Sequence, residues 1–122
     1  GIEYQVASHL AMLGQIEKGL DIVRGARDRY DGAVRNPFNE YECGHWYARA
    51  LASYGLFQGL GGVRYDAVEK TLFVEPSIKG DFRHFLCTAT GWGTAGVRDG
   101  KAFFDVKEGS VEVNSIERAV KA

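Results

Sequence analysis

Two carboxylates, a histidine and an arginine stand close together in the run RNPFNEYECGHWYARALASY, from Arg35 to Tyr54. Asn36-Pro37 marks the beginning of this run as a loop, because proline fixes its own φ and biases the preceding residue away from helix. Past Gly44 the residues favour helix, which the spacing places from His45 to about Gly61. A helix start offers unpaired backbone N–H groups and the positive end of the dipole, so Glu40, Glu42 and His45 would gather where a polar ligand can be held. Arg49 follows within the first turns of that helix and reaches back toward the loop. Its planar guanidinium matches carboxylate or vicinal hydroxyl oxygens. Glu40, Glu42 and Arg49 are therefore candidates for reading the hydroxyl pattern of a sugar, with His45 beside them. A Glu–Arg pair that only clamps the loop to the helix has the same spacing, and the residues leave both readings open.

Other chemistry finds less support. A retaining glycosidase needs two carboxyl groups about 5 Å apart on either side of a glycosidic bond. Glu40 and Glu42 lie two apart on one local segment, and nothing frames a bond between them. His9, His45 and His84 are far apart in sequence without the close ligand spacing of a metal site, and His9 reads as a core or boundary histidine. Trp46 and Tyr47 can stack on a sugar ring or fill core, whereas Trp92, within Gly-Trp-Gly, reads as core or turn packing. Cys43 and Cys87 lack the spacing of a zinc knuckle and read as free thiols. No glycine-rich phosphate loop follows a strand, and no cofactor is called for.

Composition narrows the partners. The 122 residues carry a net charge of -1, with both signs interspersed. That leaves no basic stripe for nucleic acid. No apolar run approaches the roughly 20 residues that span a bilayer.

The elements that must position the loop follow from periodicity. Ile2, Val6, Leu10 and Leu13 form a helical stripe that Gly14 ends, giving a first helix over residues 2–13. From Gln15 to Tyr30 an apolar face of Ile16, Leu20, Val23 and Ala26 opposes a charged one with Glu17, Lys18, Asp21, Arg24 and Asp28. This predicts an amphipathic outer helix. The third helix is poor in charge and carries Ala48, Ala52, Gly55 and Gly59 as a small-residue stripe, so it is expected to be an inner helix buried on most sides. Beyond Gly61-Gly62 the β-prone runs are Thr71–Val74, Phe82–Thr88, Ala102–Val106 and Ser110–Ile116, with turn signals at Asp99-Gly100 and Glu108-Gly109. The expected class is α+β: three helices over residues 1–62, then a short antiparallel β segment over 63–122 that packs on the helices and is not an independent domain.

The runs GIEYQVASHL, EKGLDIVRGARDRYDG and RNPFNEYECGHWYARALASYG, followed by RYD, LFVEP and GWGT, resemble the C-terminal part of bacterial glycoside hydrolase family 116 proteins, the group labelled non-lysosomal glucosylceramidase-like. The likeness is most specific in NPFNEYECG and YARALASY and fades after Gly96. It implies a toroid of six helical hairpins, (α/α)6, of which this chain supplies closing inner and outer helices and trailing strands. It also implies a retaining β-glucosidase or β-xylosidase type of activity on glucosides. Glu40 and Arg49 match positions of sugar-hydroxyl recognition at the barrel mouth, with Glu42 and His45 as second choices. The family's nucleophile and acid/base carboxylates belong to earlier segments with no counterpart here. The implied partners are a glucoside substrate and the remainder of a parent enzyme, and the isolated chain is expected to be inactive. It is also expected to self-associate through an apolar patch along Ala48, Ala52, Gly55 and Gly59. The competing class is a non-catalytic carbohydrate-binding or structural module.

Overall fold

A computed structural model describes residues 1–36 and 49–119, with the backbone alone at residues 49 and 50. The chain is α+β and divides into two compact units, Gly1–Gly59 and Leu60–Ala122. Three α-helices, α1 (Ile2–Met12), α2 (Ile16–Arg29) and α3 (Gly55–Gly61), and six strands occupy the described residues. None of these helices is long and apolar enough to cross a membrane.

In the first unit α1 ends where Gly14 takes a φ of 77°, and Gln15 N–H donates to the Leu10 carbonyl at 2.8 Å. α2 has the expected faces. Gly19 and Ala26 are buried, Ile16, Leu20 and Val23 are half-buried, and Arg24 pairs in solvent with Asp21 at 2.6 Å. An ion pair from Arg29 to Glu3 links α2 to α1. Exposed pairs of this kind contribute at most about 1 kcal/mol, so packing decides the arrangement.

That packing corrects the expected facing of α1. Ile2 and Leu13 are 61% and 65% exposed, while Ala7, Ser8 and Ala11 are buried. Small residues take the interior because the backbones approach closely there. A Cβ on Gly19 would lie 2.8 Å from the Ala7 carbonyl oxygen, and one on Gly59 would lie 2.8 Å from the Ala11 Cβ. The buried Ser8 hydroxyl is satisfied by donating to the Tyr4 carbonyl at 2.7 Å. His9 is exposed and is not a core histidine.

The third helix also differs from expectation. Residues 45–48 lie outside the described set, Arg49–Tyr54 is a 3-10 helix, and the α-helical geometry begins only at Gly55. A tight 3-10 turn is a common way into an α-helix. Gly55 and Gly59 turn toward Ser8 and Ala11 of α1, as the small-residue stripe requires, so they are not the exposed patch. Leu51, Tyr54 and Phe57 are exposed instead, with Tyr54 and Phe57 in an edge-to-face contact at 5.6 Å. The helix is therefore not buried on most sides.

The second unit holds two three-stranded sheets in place of a single short antiparallel segment. β1 (Val63–Asp66) pairs antiparallel with β2 (Thr71–Val74), which pairs in parallel with β6 (Ser115–Arg118). The other sheet is the antiparallel meander β3 (Phe82–Cys87), β4 (Gly91–Arg98) and β5 (Lys101–Gly109). Val63, Leu72 and Val74 of the first sheet meet Ala95 and Val97 of the second in one core, with Tyr65, Phe82, Leu86, Phe104 and Val113 packed around it. Residues 110–114, expected as strand, form a crossing instead. Ser110 N–H donates to the Thr90 carbonyl and Asn114 N–H to the Lys70 carbonyl, which carries the chain from one sheet to the other.

Carboxylates fasten the turns. Asp66 accepts the N–H groups of Val68 and Glu69 after β1, and Asp81 accepts those of Asp99 and Gly100 at the β4–β5 turn, at 2.7 and 3.2 Å. These backbone donors hold both carboxyl groups below the usual range, and the Arg98 side chain does the same for Asp105. A depressed folded-state value means stability that is present above the unfolded carboxylate range, near pH 4, and is lost as pH falls through the folded value. Urea midpoints are expected to hold steady from neutral pH to about pH 5 and to decline below about pH 4. Asp81→Asn should flatten that decline; an equally steep decline in the variant would remove Asp81 from the account.

Candidate functional site

Glu40, Glu42 and His45 lie outside the described residues, as do Cys43 and Trp46. Arg49 opens the 3-10 helix, and its backbone alone is described. The structure describes the flanks of the candidate loop, up to Asn36 and from Arg49.

On the leading side the chain leaves α2 through a closed turn. Asp31 Oδ1 accepts the N–H groups of Ala33 and Val34 at 2.8 and 3.0 Å, and Gly32 N–H donates to the Arg35 carbonyl at 2.9 Å. Those backbone donors, Val34 first, hold the Asp31 carboxyl below its ordinary value. The Arg35 guanidinium lies 5.6 Å from the centre of the Tyr30 ring. On the trailing side, Gly55 and Gly59 seat the chain against α1. A Cβ on Gly55 would lie 2.9 Å from the Ser8 hydroxyl, so little sliding is allowed there. The described flanks of the run are thus a closed turn after α2 and a close glycine contact with α1.

No family model matches the chain, and no curated protein matches it.

The second unit carries side chains with chemistry of their own. His84 lies on the inner side of β3, its Nδ1 is 2.8 Å from the Phe85 carbonyl oxygen, and its ring stacks on Phe82 at 6.0 Å. Cys87 is a free, exposed thiol. Among the described residues no group of three or more His, Cys, Asp or Glu converges as metal ligands would. Lys70 pairs with Glu112 at 2.5 Å and Arg98 with Asp105 at 2.8 Å, both at the surface.

Trp92 is not core. It is 39% exposed on β4, and its indole N–H donates to Glu108 Oε2 at 3.3 Å. Beside it on β3 stands Phe85, 44% exposed, with ring centres 5.8 Å apart and planes inclined at 42°. Sequence reading missed this pair because it arises from the β3–β4 register, in which Cys87 faces Trp92 and Phe85 faces Thr94. The available signal was Thr88, whose hydroxyl takes part in closing the turn at Gly91 and so fixes that register.

Proposed function

We propose that this chain is the C-terminal part of a retaining β-glycoside hydrolase of the family 116 type, acting on β-glucosides. In this reading Glu40 and Arg49 bind sugar hydroxyls at the mouth of a six-hairpin helical toroid, with Glu42 and His45 adjoining them. The nucleophile and the acid/base carboxylate stand on other segments of the parent enzyme, so the 122 residues alone hydrolyse nothing. The observation that carries the reading is the NPFNEYECG…YARALASY run, which unites carboxylates, a helix start and an arginine in the residue pattern of that family. The packing of the helical unit supports it. Ile2, Val6 and Leu13 of α1, together with Leu51 and Tyr54, present large apolar side chains to the outside while small residues fill the interior. A helix with apolar residues on both sides is one that a larger helical assembly covers.

In the parent enzyme, a guanidinium that grips hydroxyl oxygens contributes charged hydrogen bonds of about 1.5–3 kcal/mol. Arg49→Ala is therefore expected to lower kcat/KM for an aryl β-glucoside by about tenfold or more. Unchanged kinetics in a folded variant would show that Arg49 only clamps the loop.

A further inference from the structure

We propose that the outer face of the β3–β4–β5 sheet is a carbohydrate-binding platform, with Phe85 and Trp92 as stacking surfaces and Glu108 as the acceptor for sugar hydroxyls. It is a second site, carried by the strand unit, and it stands whether or not the loop from Arg35 to Tyr54 binds a sugar.

Rings on the outer sheet faces differ in how they are covered. Phe73 is capped by the Arg64 guanidinium, 3.9 Å from the ring centre, and Phe103 by that of Arg98 at 4.0 Å. Each cap covers a half-buried ring with a weakly hydrated cation in place of water. Phe85 and Trp92 carry no such cap among the described residues and remain 44% and 39% exposed side by side. Trp92 is nevertheless held in place. Its N–H is tied to Glu108, and the register shift between Trp92 and Gly93 sets it at an irregularity of the ladder where β4 meets β5.

Size and charge identify the occupant. Large aromatic side chains bury roughly 150–250 Å² each, so two rings about two-fifths exposed offer on the order of 150 Å². A stable protein interface takes about 800 Å² from each partner, which excludes a protein on this patch alone. One or two pyranose rings fit it. Their axial C–H faces are apolar and stack on aromatic rings, while their equatorial hydroxyls point sideways toward Glu108 and Thr94. A phosphate-bearing ligand is disfavoured by the Glu108 carboxylate beside the Trp92 ring. Two planes inclined at 42° suit puckered, linked rings better than one flat base.

The test is calorimetric titration of the full chain with cellotetraose, in an Arg49→Ala background that weakens the loop's contribution, with adenosine as a second probe. Saturable binding of cellotetraose is expected, weakened about tenfold by Trp92→Ala and by Phe85→Ala, the order of effect that losing one stacked ring has. Glu108→Gln keeps both rings, and it should weaken binding measurably while the circular dichroism stays unchanged. The proposal is overturned if the Arg49→Ala chain does not bind cellotetraose, if all three further variants bind as tightly as that chain, or if adenosine binds as well as the sugar.

Discussion

Gly62→Val is expected to destabilise the strand unit by about 4 kcal/mol, combining left-handed backbone strain with overpacking. Gly62 follows α3 directly and has a φ of 59°, a region that a β-branched residue strongly disfavours. The steric term is more severe. A Cβ there would lie 2.0 Å from the Glu75 carbonyl oxygen and 2.4 Å from its carbon, backbone atoms that cannot rotate aside. Glu75 N–H in turn donates to the Gly62 carbonyl at 3.1 Å, so residue 62 extends the β1–β2 ladder from its first pair, Val63 and Val74. Any shift that relieves the clash therefore pulls on the strands that hold the core. Gly14 provides the comparison, since it has a φ of 77° with nothing within 4 Å of an added Cβ. Gly14→Ala should cost only the conformational strain, about 1–2 kcal/mol. Urea midpoints followed by far-UV circular dichroism would separate the two, and equal shifts would refute the backbone clash at Gly62.

The helical half shows which kinds of inference local pattern supports. The extents of α1 and α2 follow from apolar spacing and from Gly14, and the faces of α2 follow from its charge pattern. The facing of α1 does not, because apolar spacing identifies the stripe of larger residues while close backbone approach selected Ala7, Ser8 and Ala11. The small-residue stripe of α3 carried the relevant information, since Gly55 and Gly59 lie against that same face of α1. The apolar stripe of α1 and the small stripe of α3 were thus competing signals for one interface. Steric access decided between them.

In the strand half, β2, β3 and β5 were legible from β-branched and aromatic runs, and β1 and β4 were not. Val63 and Tyr65 alternate with Arg64 and Asp66, but the Gly61-Gly62 pair before them reads as punctuation. β4 contains Gly91, Gly93 and Gly96, which local propensity assigns to turns. They are glycine for a tertiary reason. A Cβ on Gly93 would lie 2.0 Å from the Asp105 carbonyl oxygen, and one on Gly96 would lie 2.1 Å from that of Phe82. Glycine within a strand can mark close approach of a neighbouring backbone as well as a bend. The same glycines hid the Phe85–Trp92 pair, because a Trp between two glycines looks like a turn residue until its strand is known. The loop site is the opposite case: Glu40, Glu42, His45 and Arg49 are readable as a motif, and what the structure adds is its described flanks, the turn at Asp31 and the contact of Gly55 with Ser8.

Leu72→Ala is the second large effect expected, a loss of about 3 kcal/mol from the transfer term plus the cavity left behind. Leu72 is fully buried and is the largest side chain among the most deeply buried residues. It sits where the two sheets meet, among Val63, Val74, Ala95 and Val97. Three of those four neighbours are β-branched valines, with few ways to rotate into the space, and the fourth is alanine, so the site collapses poorly. At roughly 0.05–0.15 kcal/mol per residue, a unit of about sixty residues holds only about 3–9 kcal/mol in all. Removing one leucine therefore takes a large share of it. Hydrogen exchange should show the loss first at the amides of β2 and β4, while Leu72→Met, which conserves volume, should stay within about 1.5 kcal/mol of the parent. If the alanine variant kept the parent's urea midpoint, the shared core of the two sheets would not be what stabilises this unit, and the platform of Phe85 and Trp92 would lack the rigid sheet on which it depends.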